Sequence, residues 1–264
     1  MRKAPSTRFE YIQLTSAYAP AFGFGGPIRL MYEYAKWMAD AGFSVAVITG
    51  DVNHDFTHVA KKKEFLYGIE IRRVRVWWHR LVRKNINLVS TTMLGLAIRR
   101  VCQTPGPVIV HVWEVRGLVP LYGLVLKKLF PGKVVLVHSA FGQLHYKNSM
   151  LRIMYDRLFL RPLLASMDMG LAQNDHEINR YRELLAQYEV NEYNRLVLFP
   201  LSVNTKEGNK GIGNMITVNE RLDLRREYGI QDDVFVCIFL GRLHPAKGII
   251  RAIDAFLAFS ALYS

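Results

Sequence analysis

Cysteine is nearly missing from this chain of 264 residues, which carries only Cys102 and Cys237. Two thiols so far apart, without metal-ligand spacing, exclude a disulfide framework and a cysteine metal site. Both are expected to be buried thiols in a reducing compartment. Long apolar runs are also missing. The uncharged stretch 117–126 contains Pro120 and falls short of the ~20 residues a spanning helix needs. Polar residues follow the basic start Met1-Arg2-Lys3, where a secretory leader would need an apolar core. The expected location is cytoplasmic, with peripheral attachment to the inner face of a membrane. Acidic residues are the third shortage: 22 Asp and Glu stand against 35 Lys and Arg, a net charge of +13. That excess points to an anionic ligand or surface.

What is present reads as a globular α/β protein. Hydrophobic residues make up 50% of the chain and charged ones 22%, which rules out a disordered chain. Short apolar runs alternate with amphipathic stretches, the pattern of a parallel sheet with crossover helices. Strands are expected over 9–14, 43–48, 69–77, 108–113, 134–137, 168–172 and 195–199. Helices are expected over 28–38, 88–101, 118–129, 150–165 and 175–186, the last capped by Asn174. The polar, glycine- and asparagine-rich segment between Pro200 and Gly213 marks a boundary. Beyond it come a charged helix over 220–228 capped by Asn219, an apolar strand over 234–240 and a helix over 248–262. The domains are then 1–205, a linker and helix over 206–233, and the beginning of a second domain over 234–264.

Four features carry candidate chemistry. The first is the glycine loop Gly23, Gly25 and Gly26, with Pro27 opening a helix. Small residues there let backbone N–H groups approach a phosphate or sugar. Ile28 stands where a dinucleotide fingerprint needs its third glycine, so NAD or FAD is not indicated. A tight structural turn is the alternative reading. The second is His138, at the carboxyl end of an apolar strand and followed by Ser139, placed to bond a sugar or move a proton. Its alternative is a histidine satisfied by nearby backbone. His111, inside its strand, reads as structural, and Glu114 is a weaker ligand candidate. The third is the segment 61–84, whose nine cations and two acids supply +7 of the net charge. Within it Arg72, Arg73, Arg75, Trp77, Trp78 and Arg80 suit an anionic membrane interface, single-stranded nucleic acid, or an edge strand guarded by charge. The fourth is Gly241-Arg242-Leu243-His244-Pro245-Ala246-Lys247-Gly248. Arg242 and Lys247 at a strand-to-helix junction could neutralise a departing nucleoside diphosphate.

Taken in order, Gly25-Gly26-Pro27, the run Ala39-Asp40-Ala41-Gly42-Phe43-Ser44-Val45, His138-Ser139, Pro200-Leu201-Ser202-Val203-Asn204 and the Gly241–Gly248 motif resemble a family 4 glycosyltransferase. The resemblance implies a GT-B-type fold: a Rossmann-like domain plus the first βα unit of a second one, C-terminally truncated. It implies transfer of a sugar, with retention, from a nucleotide-diphosphate sugar to a glycan or lipid-linked acceptor, with no bound metal and no cofactor. On this resemblance Gly25 and Gly26 lie near acceptor and donor phosphates, His138 faces the reacting sugar as catalytic residue, and Arg242 and Lys247 grip the diphosphate. The family's paired glutamates have no counterpart here, and its usual aspartate before the linker is Asn204. Weak or absent catalysis is therefore expected of this chain. The alternatives are a non-catalytic binding module completed by a partner chain that supplies the missing part, and a nucleotide-sugar epimerase. Nucleic acid is disfavoured as a partner because only charge argues for it.

Overall fold

A computed structural model describes residues 9–55, 57–77, 88–139, 150–190, 195–200, 217–241 and 247–263. The chain divides into two compact units, residues 1–203 and 204–264.

The first unit is built on one eight-stranded sheet. Its strands are β1 (Glu10–Thr15), β2 (Ser44–Gly50), β3 (Lys63–Leu66), β4 (Ile69–Val74), β7 (Val108–Val112), β8 (Val134–Ser139), β9 (Met169–Ala172) and β10 (Leu196–Leu198), in the order β10-β9-β8-β7-β1-β2-β4-β3. All neighbours pair parallel except β3, which runs antiparallel to β4 at one edge. This is the doubly wound α/β arrangement, with the strand order reversing between β1 and β7. β1 is buried along its whole length, as expected for a strand covered on both faces.

Crossover helices α1 (Gly26–Asp40), α2 (Thr92–Gln103), α3 (Leu118–Leu129) and α6 (Asp175–Gln187) cover the sheet. A further helical run joins α4 (Met150–Tyr155), a π-turn over Asp156–Leu160 and α5 (Arg161–Ser166). α1 ends in a 6→1 bond from Phe43 N–H to the Met38 carbonyl (3.0 Å), with Gly42 at φ +89°; this left-handed closure is what glycine permits. Asn174 caps α6 by accepting from the Glu177 N–H at 2.9 Å.

Several expectations are corrected. The single strand over 69–77 is broken at Arg75. Its second half, β5 (Val76–Trp77), pairs antiparallel with β6 (Leu88–Val89), so α2 begins four residues later than expected, at Thr92. The break has a clear cause: the Val76 N–H donates to the Asp51 carboxylate (3.0 Å) instead of to the ladder. Cys102 and Cys237 are both exposed, not buried. α2 turns Met93, Ala97 and Val101 into the core, which leaves the next residue rotated towards solvent.

In the second unit, α7 (Val218–Glu227) is capped by Thr217, not Asn219. Thr217 accepts from the Glu220 N–H while the Glu220 carboxylate accepts from Thr217 N–H, a reciprocal capping box. The expected helix near the end is α8 (Ile249–Tyr263). Residues 234–240 pair with no strand among the described residues, and Phe235, Ile238 and Leu240 are 74%, 85% and 96% exposed. An apolar run becomes a strand only when a neighbour takes its N–H and C=O groups, and the described part of this unit offers none.

Candidate functional site

The carboxyl ends of β1 and β7 flank the switch point, where open α/β sheets leave a crevice for ligands. Ser16 follows β1 and Glu114 follows β7. The Ser16 N–H donates to Glu114 Oε1 at 2.5 Å, so a buried carboxylate bridges the two strand ends. Burial pushes the Glu114 carboxyl up, and the bonds from Ser16 only partly oppose this.

The glycine loop lies between β1 and α1. Gly25 adopts φ +104° as the residue before α1, a conformation that side-chain-bearing residues avoid. At Gly26 a Cβ would meet nothing within 4 Å. Pro27 sits in the first turn, where its missing N–H costs nothing. The helix start is thus open to an anion approaching its unbonded N–H groups. Gly23 has a structural role instead: a Cβ there would fall 2.3 Å from the His54 ring.

His138 and His111 stand on opposite faces of the sheet. His138, in β8, is buried beside α6, with Nδ1 3.3 Å from the Tyr181 hydroxyl, and its Nε2 meets no partner among the described residues. Burial drives its pKa down to about 4, only partly opposed by the Glu114 backbone beside the ring, so at neutral pH it is an uncharged imidazole. It can accept or donate one hydrogen bond there; it is not a ready proton donor. His111, in β7, has Nδ1 2.6 Å from the Tyr11 hydroxyl and Nε2 2.8 Å from Ser139 Oγ. Burial, with a smaller contribution from His138, lowers it to about 3.

The basic segment is less open than its composition suggests. Arg73 is not a surface residue. Its buried guanidinium donates to Glu64 (2.9 Å), to the Lys61 carbonyl (3.1 Å) and to the Ala19 carbonyl (2.7 Å). Arg72 donates to Glu70 at 2.8 Å, and Lys62 and His58 donate to the fully buried Asp51. Burial opposes ionisation of Asp51, but the bonds from Lys62, the Val76 N–H and His58 outweigh it and hold the carboxyl below its usual range. Arg75 lies 3.8 Å from the same carboxylate with its side chain mostly exposed, and Trp77 is 55% exposed. Trp78 and Arg80 lie outside the described residues.

Lys247 is exposed and stands just before α8, with Gly248 at φ +69°. Arg242 lies outside the described residues.

No protein-family model matches this chain, and no curated protein matches it either. Solved structures similar to it include two synthases. One is an alpha,alpha-trehalose-phosphate synthase (UDP-forming) from Burkholderia vietnamiensis, at 11% identity and a TM-score of 0.44. The other is an alpha,alpha-trehalose 6-phosphate synthase from Burkholderia multivorans, at 12% identity and a TM-score of 0.45. Each likeness covers 84% of this chain and 54% of that one, so the chain spans about half their length.

Proposed function

We propose that the chain is the acceptor-side part of a retaining glycosyltransferase that uses a nucleotide-diphosphate sugar, with a glycan or lipid-linked acceptor. One observation carries the reading: the left-handed Gly25 and the bare Gly26 open α1 beside the switch point of a doubly wound sheet, leaving room for a phosphate or sugar against the helix start. His138 fits the reading as a neutral hydrogen-bonding group towards a sugar. Lys247, with Arg242, would meet the diphosphate, and Arg75 and Trp77 would face an anionic membrane surface. The test is saturation-transfer NMR with UDP-, GDP- and ADP-sugars and with free sugars as acceptors, together with transfer assays using labelled donors. Signals should appear on sugar protons and fade in Gly25→Val and His138→Ala. Silence across the panel, with tight and salt-sensitive retention on nucleic acid, would overturn the reading.

A second reading, a module completed by a partner polypeptide, is favoured by the exposed apolar run 234–240. It predicts recovery of a stoichiometric second chain on affinity purification, lost when Ile238 and Leu240 become lysine.

A further inference from the structure

A directed hydrogen-bond chain crosses three strands beneath α1. Tyr11 and Gln13 lie two residues apart on one face of β1, and Gln13 is in register with His111 of β7. His111 is in register with Val137 of β8, which puts Ser139, two residues on, on the same face. Gln13 Nε2 donates to the Met31 carbonyl of α1 at 3.1 Å and to the Tyr11 hydroxyl oxygen at 3.2 Å. The amide cannot be turned over, since its oxygen would then face the Met31 carbonyl. With its oxygen receiving that bond, the Tyr11 hydroxyl is free to donate to His111 Nδ1 at 2.6 Å. A neutral imidazole that accepts at Nδ1 carries its hydrogen on Nε2, so His111 donates to Ser139 Oγ at 2.8 Å. The Ser139 hydroxyl hydrogen is then left over, with no acceptor among the described residues.

Ser139 lines a cavity of about 10 Å³ closed by Leu30 and Tyr34 of α1, with Trp113, Gln173 and Phe199 among its other walls. That volume holds about one oxygen atom. We propose that Ser139 is an obligate hydrogen-bond donor to one hydroxyl oxygen of a carbohydrate ligand at this cavity. Tyr11 and His111 act as positioning residues that forbid it from turning inward. The donor assignment stands on the bond chain; the carbohydrate identity of the ligand rests on the function proposed above.

The test uses the full chain with ¹⁵N-histidine and binding of D-glucose, D-galactose, D-mannose and N-acetyl-D-glucosamine. The ring ¹⁵N shifts of His111, assigned through His111→Gln, should report a neutral ring with hydrogen on Nε2 from pH 8 to pH 5.5. Hydrogen on Nδ1, or a cation in that range, overturns the proposal because Ser139 would then donate inward. Ser139→Ala should weaken the best-bound sugar by about three- to tenfold, the worth of one hydrogen bond, while Ser139→Thr keeps affinity within about twofold. Sugar binding unchanged in Ser139→Ala overturns the Ser139 assignment and leaves the functional reading intact. No binding of any of the four sugars by the unaltered chain overturns the carbohydrate assignment here, while the functional reading is decided by the nucleotide-sugar panel.

Discussion

Acidification should destabilise this protein chiefly through two buried histidines. His111 and His138 are buried and neutral, with pKa values lowered to about 3 and about 4, against about 6.5 in an unfolded chain. Below pH 6.5 the unfolded chain therefore binds protons that the folded chain refuses, and stability falls with falling pH. Stability from this source is complete above about pH 7 and is lost as pH falls towards 4 and below. At pH 5 an unfolded histidine gains about 2 kcal/mol from protonation, so the pair costs about 4 kcal/mol relative to pH 8. That figure depends little on the folded values, provided both lie below pH 5. For a unit of about 200 residues it corresponds to a fall in Tm of roughly 8–16 °C. Glu114 works in the opposite sense, since its raised pKa favours the folded state as pH falls. The assay is urea unfolding at pH 8, 7, 6 and 5 for the unaltered chain, His111→Gln and His138→Gln. Each variant should lose about half of the pH 8 to pH 5 drop, whatever it costs at pH 8. Parallel pH profiles for all three would refute the reasoning, because the burial that sets both pKa values would then be absent in solution.

Other perturbations follow from single contacts. Arg73→Met leaves the Ala19 and Lys61 carbonyls without their donor and Glu64 with Lys61 as its remaining cation, and should cost about 1–3 kcal/mol in urea unfolding, while Arg75→Ala should change stability little. Gly50→Ala would put a Cβ 2.1 Å from the Ser16 carbonyl oxygen, in backbone that also carries Glu114's partner, so about 3 kcal/mol or more should be lost. Thr217→Ala removes half a capping box at about 1 kcal/mol, read as roughly fivefold faster amide exchange in the first turn of α7. Arg75→Glu and Trp77→Ala should each reduce sedimentation with phosphatidylglycerol vesicles, by about 1 kcal/mol per charge unit for the arginine; equal binding by both variants would remove the membrane surface from the proposal.

The order of strands and helices was legible because buried parallel strands leave apolar runs such as Val108–Val112 between amphipathic helices. β3 escaped because Lys63-Glu64-Phe65-Leu66 is short, charged and alternates in exposure at a sheet edge. The break at Arg75 escaped because it depends on Asp51, distant in sequence, taking the Val76 N–H. Charge counting over 61–84 missed one acid, Asp51, for the same reason. The cations at 61, 62, 63, 72, 73 and 75 each lie within 4.0 Å of a carboxylate of Asp51, Glu64 or Glu70. Only two of those acids fall inside the segment that was counted. A local charge sum reports what a segment contains, not what the fold brings against it.

The pair His138-Ser139 illustrates the remaining gap. In sequence it looks like a single motif at a strand end, yet successive strand residues must point to opposite faces. His138 meets Tyr181 of α6 on one side, and Ser139 meets His111 beneath α1 on the other. The two side chains therefore cannot reach the same atom of a ligand unless that ligand wraps the end of β8. The signal for the second network was present, as polar Tyr11 and Gln13 at period two in an otherwise apolar strand, but only the register of β1, β7 and β8 joins it to Ser139. Substitutions at His138 and Ser139 should accordingly couple only weakly in ligand affinity, through His111, which bonds Ser139 and feels His138 electrostatically. A double-mutant cycle with His138→Ala and Ser139→Ala measures this, and strong coupling would mean that both side chains hold one group of the ligand.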